Sequence, residues 1–323
     1  MRRLRWIGAA LTTLALAAAV GAAARPAERP SVAIFYYPWY GSPKRDGVWQ
    51  HWDQNGARPP GKIASQFYPA RGAYSSTDPR VVRNQLREIA ATGIDTVIVS
   101  WWGPDSIEAW RLPTVTAAAH AAGLEVAVHV EPWPDRTARA VRTAVDSLHA
   151  RGIDDFYVYD SSQLADEDWS AELSALPDGV RVFANTWLVG KAAAGGFSGL
   201  YPYDVVVYPV SSFQRVCRAA QKRLLACAPS IGPGFDSRRA TGMTTVVPRR
   251  DGKRYDATWQ AAAHAGADVI TITSYNEWLE GTQIEPARAR PGYSSYEGAY
   301  GLTGAAAESA YLTRTREWIS TLG

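Results

Sequence analysis

Cysteine is scarce in this 323-residue chain: there are two, Cys217 and Cys227, which leaves room for one disulfide at most. For an exported chain in an oxidising compartment, a bridge and a pair of buried thiols both remain open at this point. Histidine is also sparse. The five present stand singly, without the spacing of metal ligands, so no metal and no cofactor is expected. Excess charge is missing too. The formal net charge is +3, with basic residues scattered among acids, which argues against nucleic acid and points to neutral partners. No Gly/Ser-rich or charged linker divides the sequence, and no apolar run reaches the length of a membrane span.

The one apolar run of note, 7–19, follows Arg2, Arg3 and Arg5 and precedes Ala22-Ala23-Ala24. This is the layout of an export signal, which predicts a cleavable segment over 1–24, a single domain over 25–323, and a secreted or cell-envelope protein with no stable membrane insertion after cleavage. A monomer is expected.

Short β-branched or aromatic stretches alternate with Ala/Arg/Leu stretches of helical spacing, the pattern of a parallel sheet. Strands are predicted at 31–37, 95–101, 125–130, 155–159, 181–186, 204–208, 225–231 and 268–274. Helices are predicted at 79–92, 112–122, 138–151, 213–223 and 255–265, with Gly93, Gly123, Gly152 and Gly266 at or near their ends. Eight strand-helix units define the expected fold class, α/β as a single (β/α)8 TIM barrel.

Polar and aromatic residues collect where these strands end: Tyr36-Tyr37-Pro38-Trp39-Tyr40, Trp101-Trp102-Gly103, His129-Val130-Glu131-Pro132-Trp133, Tyr159-Asp160, Asn185-Thr186-Trp187, and Asn276-Glu277-Trp278. That end of a barrel carries the active site, and aromatic faces suit pyranose rings. The last stretch places Glu277 and Glu280 three positions apart directly after the buried-strand run 269–273. Glycosidic hydrolysis needs two carboxyls in different protonation states, and this pair meets the requirement. A capping role, with both acids in a first helical turn, would explain the carboxylates but not the aromatic company.

With these motifs, and with Gly196-Phe197-Ser198-Gly199-Leu200-Tyr201 and Ser274-Tyr275-Asn276-Glu277-Trp278-Leu279-Glu280-Gly281-Thr282-Gln283-Ile284-Glu285, most of the chain after the leader resembles glycoside hydrolase family 99, the endo-α-mannosidase and endo-α-mannanase family. The resemblance implies a retaining enzyme that cuts inside α-mannose-containing chains, with the sugar's own 2-hydroxyl attacking the anomeric carbon to give a 1,2-anhydro sugar. It makes Glu277 the base toward that hydroxyl, and Glu280 the acid that protonates the leaving oxygen and then activates water. It makes Tyr37, Glu131 and one of Tyr201 or Tyr203 hydrogen-bonding partners of the mannose, with His129 and Asn276 beside them. Trp101 or Trp102 would be an aromatic wall for the preceding sugar. Leu279 replaces the family's usual His, Trp133-Pro134-Asp135-Arg136 replaces a Tyr-x-Gly-Arg, and 238–247 lacks an Arg-Pro-Trp-Asn run; these departures bear on the outer sugars. Two other readings are a barrel hydrolase acting on an α-glucan or other α-linked polysaccharide, and a non-catalytic carbohydrate-binding relative. Both acids are present, which argues against the second, since a buried carboxylate pair is costly to keep.

Overall fold

A computed structural model describes residues 29–207 and 209–322. The expected export signal over 1–24 lies outside the described residues. The strands are β1 (Ser31–Tyr36), β2 (Thr96–Trp101), β3 (Glu125–Val130), β4 (Asp155–Val158), β5 (Arg181–Asn185), β6 (Gly199–Tyr201), β7 (Ala226–Cys227), β8 (Ser230–Ile231), β9 (Phe235–Asp236), β10 (Val246–Val247) and β11 (Val269–Ile272). Nine of them form one parallel sheet in the order β7-β6-β5-β4-β3-β2-β1-β11-β8. The two outermost, β7 and β8, are successive parts of the same segment 226–231. The neighbour order therefore returns to its start, and the sheet is an α/β barrel. The segment 226–231 also bridges the seam directly: the Ala228 N–H bonds the Leu200 carbonyl at 2.9 Å, and the Pro229 carbonyl accepts from the Thr271 N–H at 3.1 Å.

The strands are short, apolar and buried on both faces, as in a parallel sheet covered by helices. Register decides which side chains enter the barrel. Ser100 pairs with His129, His129 with Tyr157, Tyr157 with Phe183, and Phe183 with Gly199. Phe35 touches His129, Tyr157, Tyr201 and Tyr203, so this row points inward. The alternate row faces the helices: Tyr36 donates to Gln85 at 2.7 Å, and Gln85 lies in a helix.

The helices that clothe the barrel run in chain order as α1 (Pro43–Asp46), α2 (Pro79–Ala90), α3 (Ile107–Ala121), α4 (Ala138–His149), α5 (Asp166–Leu173), α6 (Val189–Ala194), α7 (Phe213–Gln221), α8 (Arg238–Thr241), α9 (Lys253–Ala263), α10 (Gly304–Glu308) and α11 (Ala310–Ser320). Local chemistry explains their starts. Asp78, Ser106 and Thr137 each accept a backbone N–H at the head of α2, α3 and α4. The buried stripe of α4, Ala138, Val141, Val145 and Leu148, follows the helical repeat. Each such Val or Leu contributes about 1.5–3 kcal/mol relative to exposure. Cys217 of α7 and Cys227 of β7 form a disulfide, with Cα atoms 5.2 Å apart. It fastens a helix to the barrel wall.

One expected strand is misplaced. The sixth lies at Gly199–Tyr201, not at 204–208; residues 205–207 form a turn and Tyr208 lies outside the described residues. The β-branched run Val205-Val206-Val207 imitates a strand, yet Val207 is exposed. The true strand opens on a glycine because a Cβ at Gly199 would meet the Ala226 carbonyl oxygen at 2.6 Å and Phe183 at 2.7 Å. Strand seven is split around Ala228 and Pro229, Pro229 having no N–H to give to a ladder.

Candidate active site

After β11 the chain does not enter a helix, so neither Glu277 nor Glu280 is a helix-capping acid. Residues 274–285 instead close on themselves. The Ser274 N–H donates to the Thr282 carbonyl at 3.0 Å, the Ile284 N–H to the Ser274 carbonyl at 2.9 Å, and the Glu285 N–H to the Tyr275 carbonyl at 2.8 Å. Ser274 Oγ accepts from the Glu277 N–H at 2.8 Å. The far side of the loop is pinned by the Asp236 N–H, which donates to the Glu280 carbonyl at 2.7 Å, and by Arg249 Nη2, which donates to the carbonyls of Gly281 at 2.8 Å and Gln283 at 2.6 Å. Gly281 has φ 67°, and a Cβ there would lie 3.0 Å from the Asp236 carbonyl oxygen. Only glycine suits both the turn and the close approach.

Glu285 anchors the loop from below. Fully buried, it accepts from Arg71 Nε at 2.6 Å and Gln85 Nε2 at 2.8 Å on one oxygen, and from the Tyr74 hydroxyl at 2.8 Å and Trp278 Nε1 at 2.7 Å on the other. Four donors satisfy a carboxylate that burial would otherwise penalise. Asn276 is equally enclosed: its Oδ1 accepts from the Tyr37 N–H at 2.8 Å and its Nδ2 donates to the Tyr37 carbonyl at 3.0 Å. Tyr40 spans the next step, donating its hydroxyl to the Asn276 carbonyl at 2.9 Å and accepting the Trp278 N–H at 3.0 Å. Asn276 is therefore tied to the protein on its carboxamide, where a substrate-binding role was expected.

The inward row supplies the rest. The hydroxyls of Tyr37 and Tyr203 are hydrogen-bonded to each other. Burial raises both phenol pKa values, and the charges of Glu131, Glu277 and Glu280 raise them further; Tyr203 and Glu280 line the same cavity. Glu131 accepts from Ser100 Oγ at 2.9 Å, and its Oε1 lies 2.9 Å from His129 Nδ1, close but out of line for a hydrogen bond. His129 Nε2 is 2.9 Å from the Tyr201 hydroxyl. Tyr37, Glu131, Tyr201 and Tyr203 are thus brought together with the two acids, with His129 and Asn276 bracing them from behind.

Burial raises the pKa of both acids. At Glu277 the neighbouring Glu280 adds to it, against the pull of the Leu279 N–H, which donates to Oε1 at 3.0 Å. At Glu280 burial, then Asp204 and Glu131, push the value up to about 7. Burial thus favours the protonated form of each carboxyl, and at Glu277 the charge of Glu280 adds to that effect.

The tryptophans part company. Trp102 continues the inward row of Ser100, is 37% exposed, and lies 6.5 Å between ring centroids from Trp39, which stacks on His51 at 4.5 Å and tilts over Tyr37 at 4.6 Å. Trp101 belongs to the outward row. It packs edge-on against Trp133 at 5.4 Å and lines a separate cavity with Ala109, Leu112, Ala144 and Leu148 of α3 and α4. Of the two, only Trp102 stands on the side of the acids.

Sequence reasoning passed over Trp39, Tyr40, Tyr74, Tyr159, Asp204 and Glu285 as site residues. Tyr159 and Asp204 line a cavity of about 430 Å³ with Tyr203, Phe235, Thr273 and Glu280. Among the described residues no group of three or more His, Cys, Asp or Glu is placed to hold a metal ion, and no helix is long and apolar enough to cross a membrane.

Proton transfer on a bound sugar suits a carboxyl pair held between phenol hydroxyls at the C-terminal rim of a parallel barrel, and the class so defined is a barrel glycoside hydrolase. The chain belongs to glycosyl hydrolase family 99, whose model matches residues 29–323. A glycoprotein endo-alpha-1,2-mannosidase-like protein of Danio rerio is 32% identical over 312 residues, covering 79% of this chain and 71% of that protein. A glycoprotein endo-alpha-1,2-mannosidase of Xenopus laevis is 30% identical over 315 residues, covering 79% and 69%. The solved structure of the GH99 endo-alpha-mannosidase from Bacteroides thetaiotaomicron aligns with a TM-score of 0.80 at 26% identity, over 90% of this chain and 97% of that one.

Proposed function

We propose that this glycoside hydrolase is a retaining, endo-acting α-mannosidase that works through a 1,2-anhydro sugar, and that it is exported. The observation that carries the reading is the placement of Glu277 and Glu280 beside one Tyr37–Tyr203 hydroxyl pair, both acids with raised pKa. The relatives named as endo-alpha-mannosidases supply the sugar. The export reading rests on 1–24 of the sequence alone.

Glu277 receives the 2-hydroxyl proton as that oxygen closes on the anomeric carbon; burial and the neighbouring Glu280 raise its pKa and so its strength as a base, while the Leu279 N–H on its Oε1 offsets part of the cost of ionising it. Glu280 gives its proton to the departing oxygen as the glycosidic bond breaks. Water then opens the anhydro ring: Glu280 takes the water's proton, Glu277 returns its own to O2, and both acids regain their starting state. Tyr37, Tyr203, Glu131 and Tyr201 hold the sugar at the reacting carbon, and Trp102 with Trp39 gives a stacking face for the preceding one.

Incubation with a panel of α-mannans and α-glucans, with products resolved by mass, tests the reading. Internal cleavage of α-mannan into oligosaccharides is expected. Release of single sugars from chain ends, or cleavage of α-glucan alone, contradicts it.

A further inference from the structure

Asp204 reaches the site from the turn that imitates a strand. Its Oδ1 accepts the N–H groups of Val206 at 2.6 Å and Val207 at 3.2 Å, so the carboxylate is fixed to its own turn. Its Oδ2 takes part in no hydrogen bond or ion pair with a described residue. Asp204 lines the cavity of about 430 Å³ that Glu280 lines, together with Tyr159, Tyr203, Thr245 and Thr273. Other polar groups there are already engaged: the Tyr203 hydroxyl pairs with Tyr37, and Thr273 Oγ1 donates to the Tyr203 carbonyl at 3.4 Å. The half-buried Tyr159 hydroxyl, like Asp204 Oδ2, has no partner among the described residues. No described Lys or Arg lines the cavity to neutralise the carboxylate. A charged acceptor and a phenol hydroxyl are thus left free beside Glu280.

On the proposed mechanism Glu280 protonates the oxygen of the departing sugar, so the ring bonded to that oxygen stands beside its carboxyl. A sugar ring presents hydroxyl donors, and a carboxylate whose other oxygen is already tied down is a preset acceptor for one of them. We infer that Asp204 is a specificity-determining residue for the leaving sugar, its Oδ2 accepting one of that sugar's hydroxyls. This rests on the endo-acting α-mannosidase reading and adds to it a residue by which a departing sugar is favoured over other leaving groups.

The test is Asp204→Asn, whose amide oxygen still serves the Val206 and Val207 N–H groups while an NH2 replaces the free acceptor. Two substrates are compared: an α-manno-oligosaccharide, from which a sugar departs, and α-mannobiosyl fluoride, from which only fluoride departs. The charge of Asp204 also helps raise the Glu280 pKa, so kcat/KM is measured at pH 5, where the acid keeps its proton, and again at pH 7. At pH 5 the variant should lose at least about tenfold on the oligosaccharide, the size of one lost hydrogen bond to a charged group, and less than about threefold on the fluoride. Equal losses on both substrates, or no loss on either, overturn the proposal. A loss on the oligosaccharide seen at pH 7 and absent at pH 5 overturns it too, because Asp204 would then act through the proton of Glu280. Turnover of the matching α-gluco pair alone defeats the sugar assignment, while the same comparison on that pair still decides Asp204. If the unaltered protein cleaves none of these, the hydrolase reading fails on them, and calorimetric Kd values of the oligosaccharides decide: binding about tenfold weaker in the variant supports the contact, and equal binding overturns it.

Discussion

Tyr37 and Asn276 exchange two hydrogen bonds, the Tyr37 N–H to Asn276 Oδ1 at 2.8 Å and Asn276 Nδ2 to the Tyr37 carbonyl at 3.0 Å, joining the end of the first barrel strand to the residue before Glu277. The carboxamide acts there as an extra peptide group. Asn276→Asp keeps the shape but turns a carboxylate oxygen toward the Tyr37 carbonyl, replacing a donor with an acceptor. An unfolding free energy lower by about 1–3 kcal/mol is expected from the unsatisfied carbonyl, with a fall in kcat larger than any rise in KM. Urea denaturation and steady-state kinetics check both; unchanged stability would remove Asn276 from the frame of the site.

Glu285 should matter to activity without touching substrate. In Glu285→Gln an NH2 must face either Arg71 and Gln85 or Tyr74 and Trp278, all donors in the present arrangement. Removing one partner of a buried ion pair typically costs about 3–5 kcal/mol. Thermal unfolding at neutral pH should show a loss of that size. Wild-type stability in this variant would mean that the loop 274–285 is held without the Glu285 carboxylate, by its backbone bonds and by Arg249, Asn276 and Tyr40.

Both raised acids imply a pH dependence of definite sign. Between the ordinary glutamate range and about 7 the folded protein holds more protons at this pair than the unfolded chain does, so stability falls as pH rises through that window. Glu280→Gln removes that acid's share of the titration and takes a carboxylate from beside Glu277. Its melting temperature relative to the unaltered protein should be near zero difference at pH 4 and positive at pH 8. For activity, kcat/KM on an unactivated substrate should decline above about 7 as Glu280 loses its proton. A substrate with a good leaving group should lack that alkaline limb. Persistence of the limb with such a substrate would assign it to another group.

Much of this arrangement could be read from the chain, because parallel strands and amphipathic helices leave periodic marks: β3 lies where the alternation at 125–130 placed it, and Glu277 and Glu280 share the rim with the ends of other strands. Two failures have one physical origin, that burial of a short segment is decided by its neighbours. Val205-Val206-Val207 carries the residues of a strand and is a turn; Gly199–Tyr201 has no β-branched residue and is a strand, opening on a glycine because only a glycine fits between Phe183 and Ala226. Trp101 and Trp102 are equivalent as letters, and only the pairing of Ser100 with His129 reveals which one faces the acids. The bracing of Glu285 by Arg71, Gln85 and Tyr74 joins residues more than 190 positions apart. Spacing cannot show it.

On the proposed mechanism, Glu277 and Glu280 cleave an α-mannosidic bond with retention through the sugar's own 2-hydroxyl. The anomeric proton of the product, followed by NMR from the first minutes after mixing enzyme with an α-mannoside, tests it most directly. The α-anomer is expected first, with the β-anomer growing in only at the rate of mutarotation. A β-anomer formed first would contradict retention and the anhydro-sugar route together.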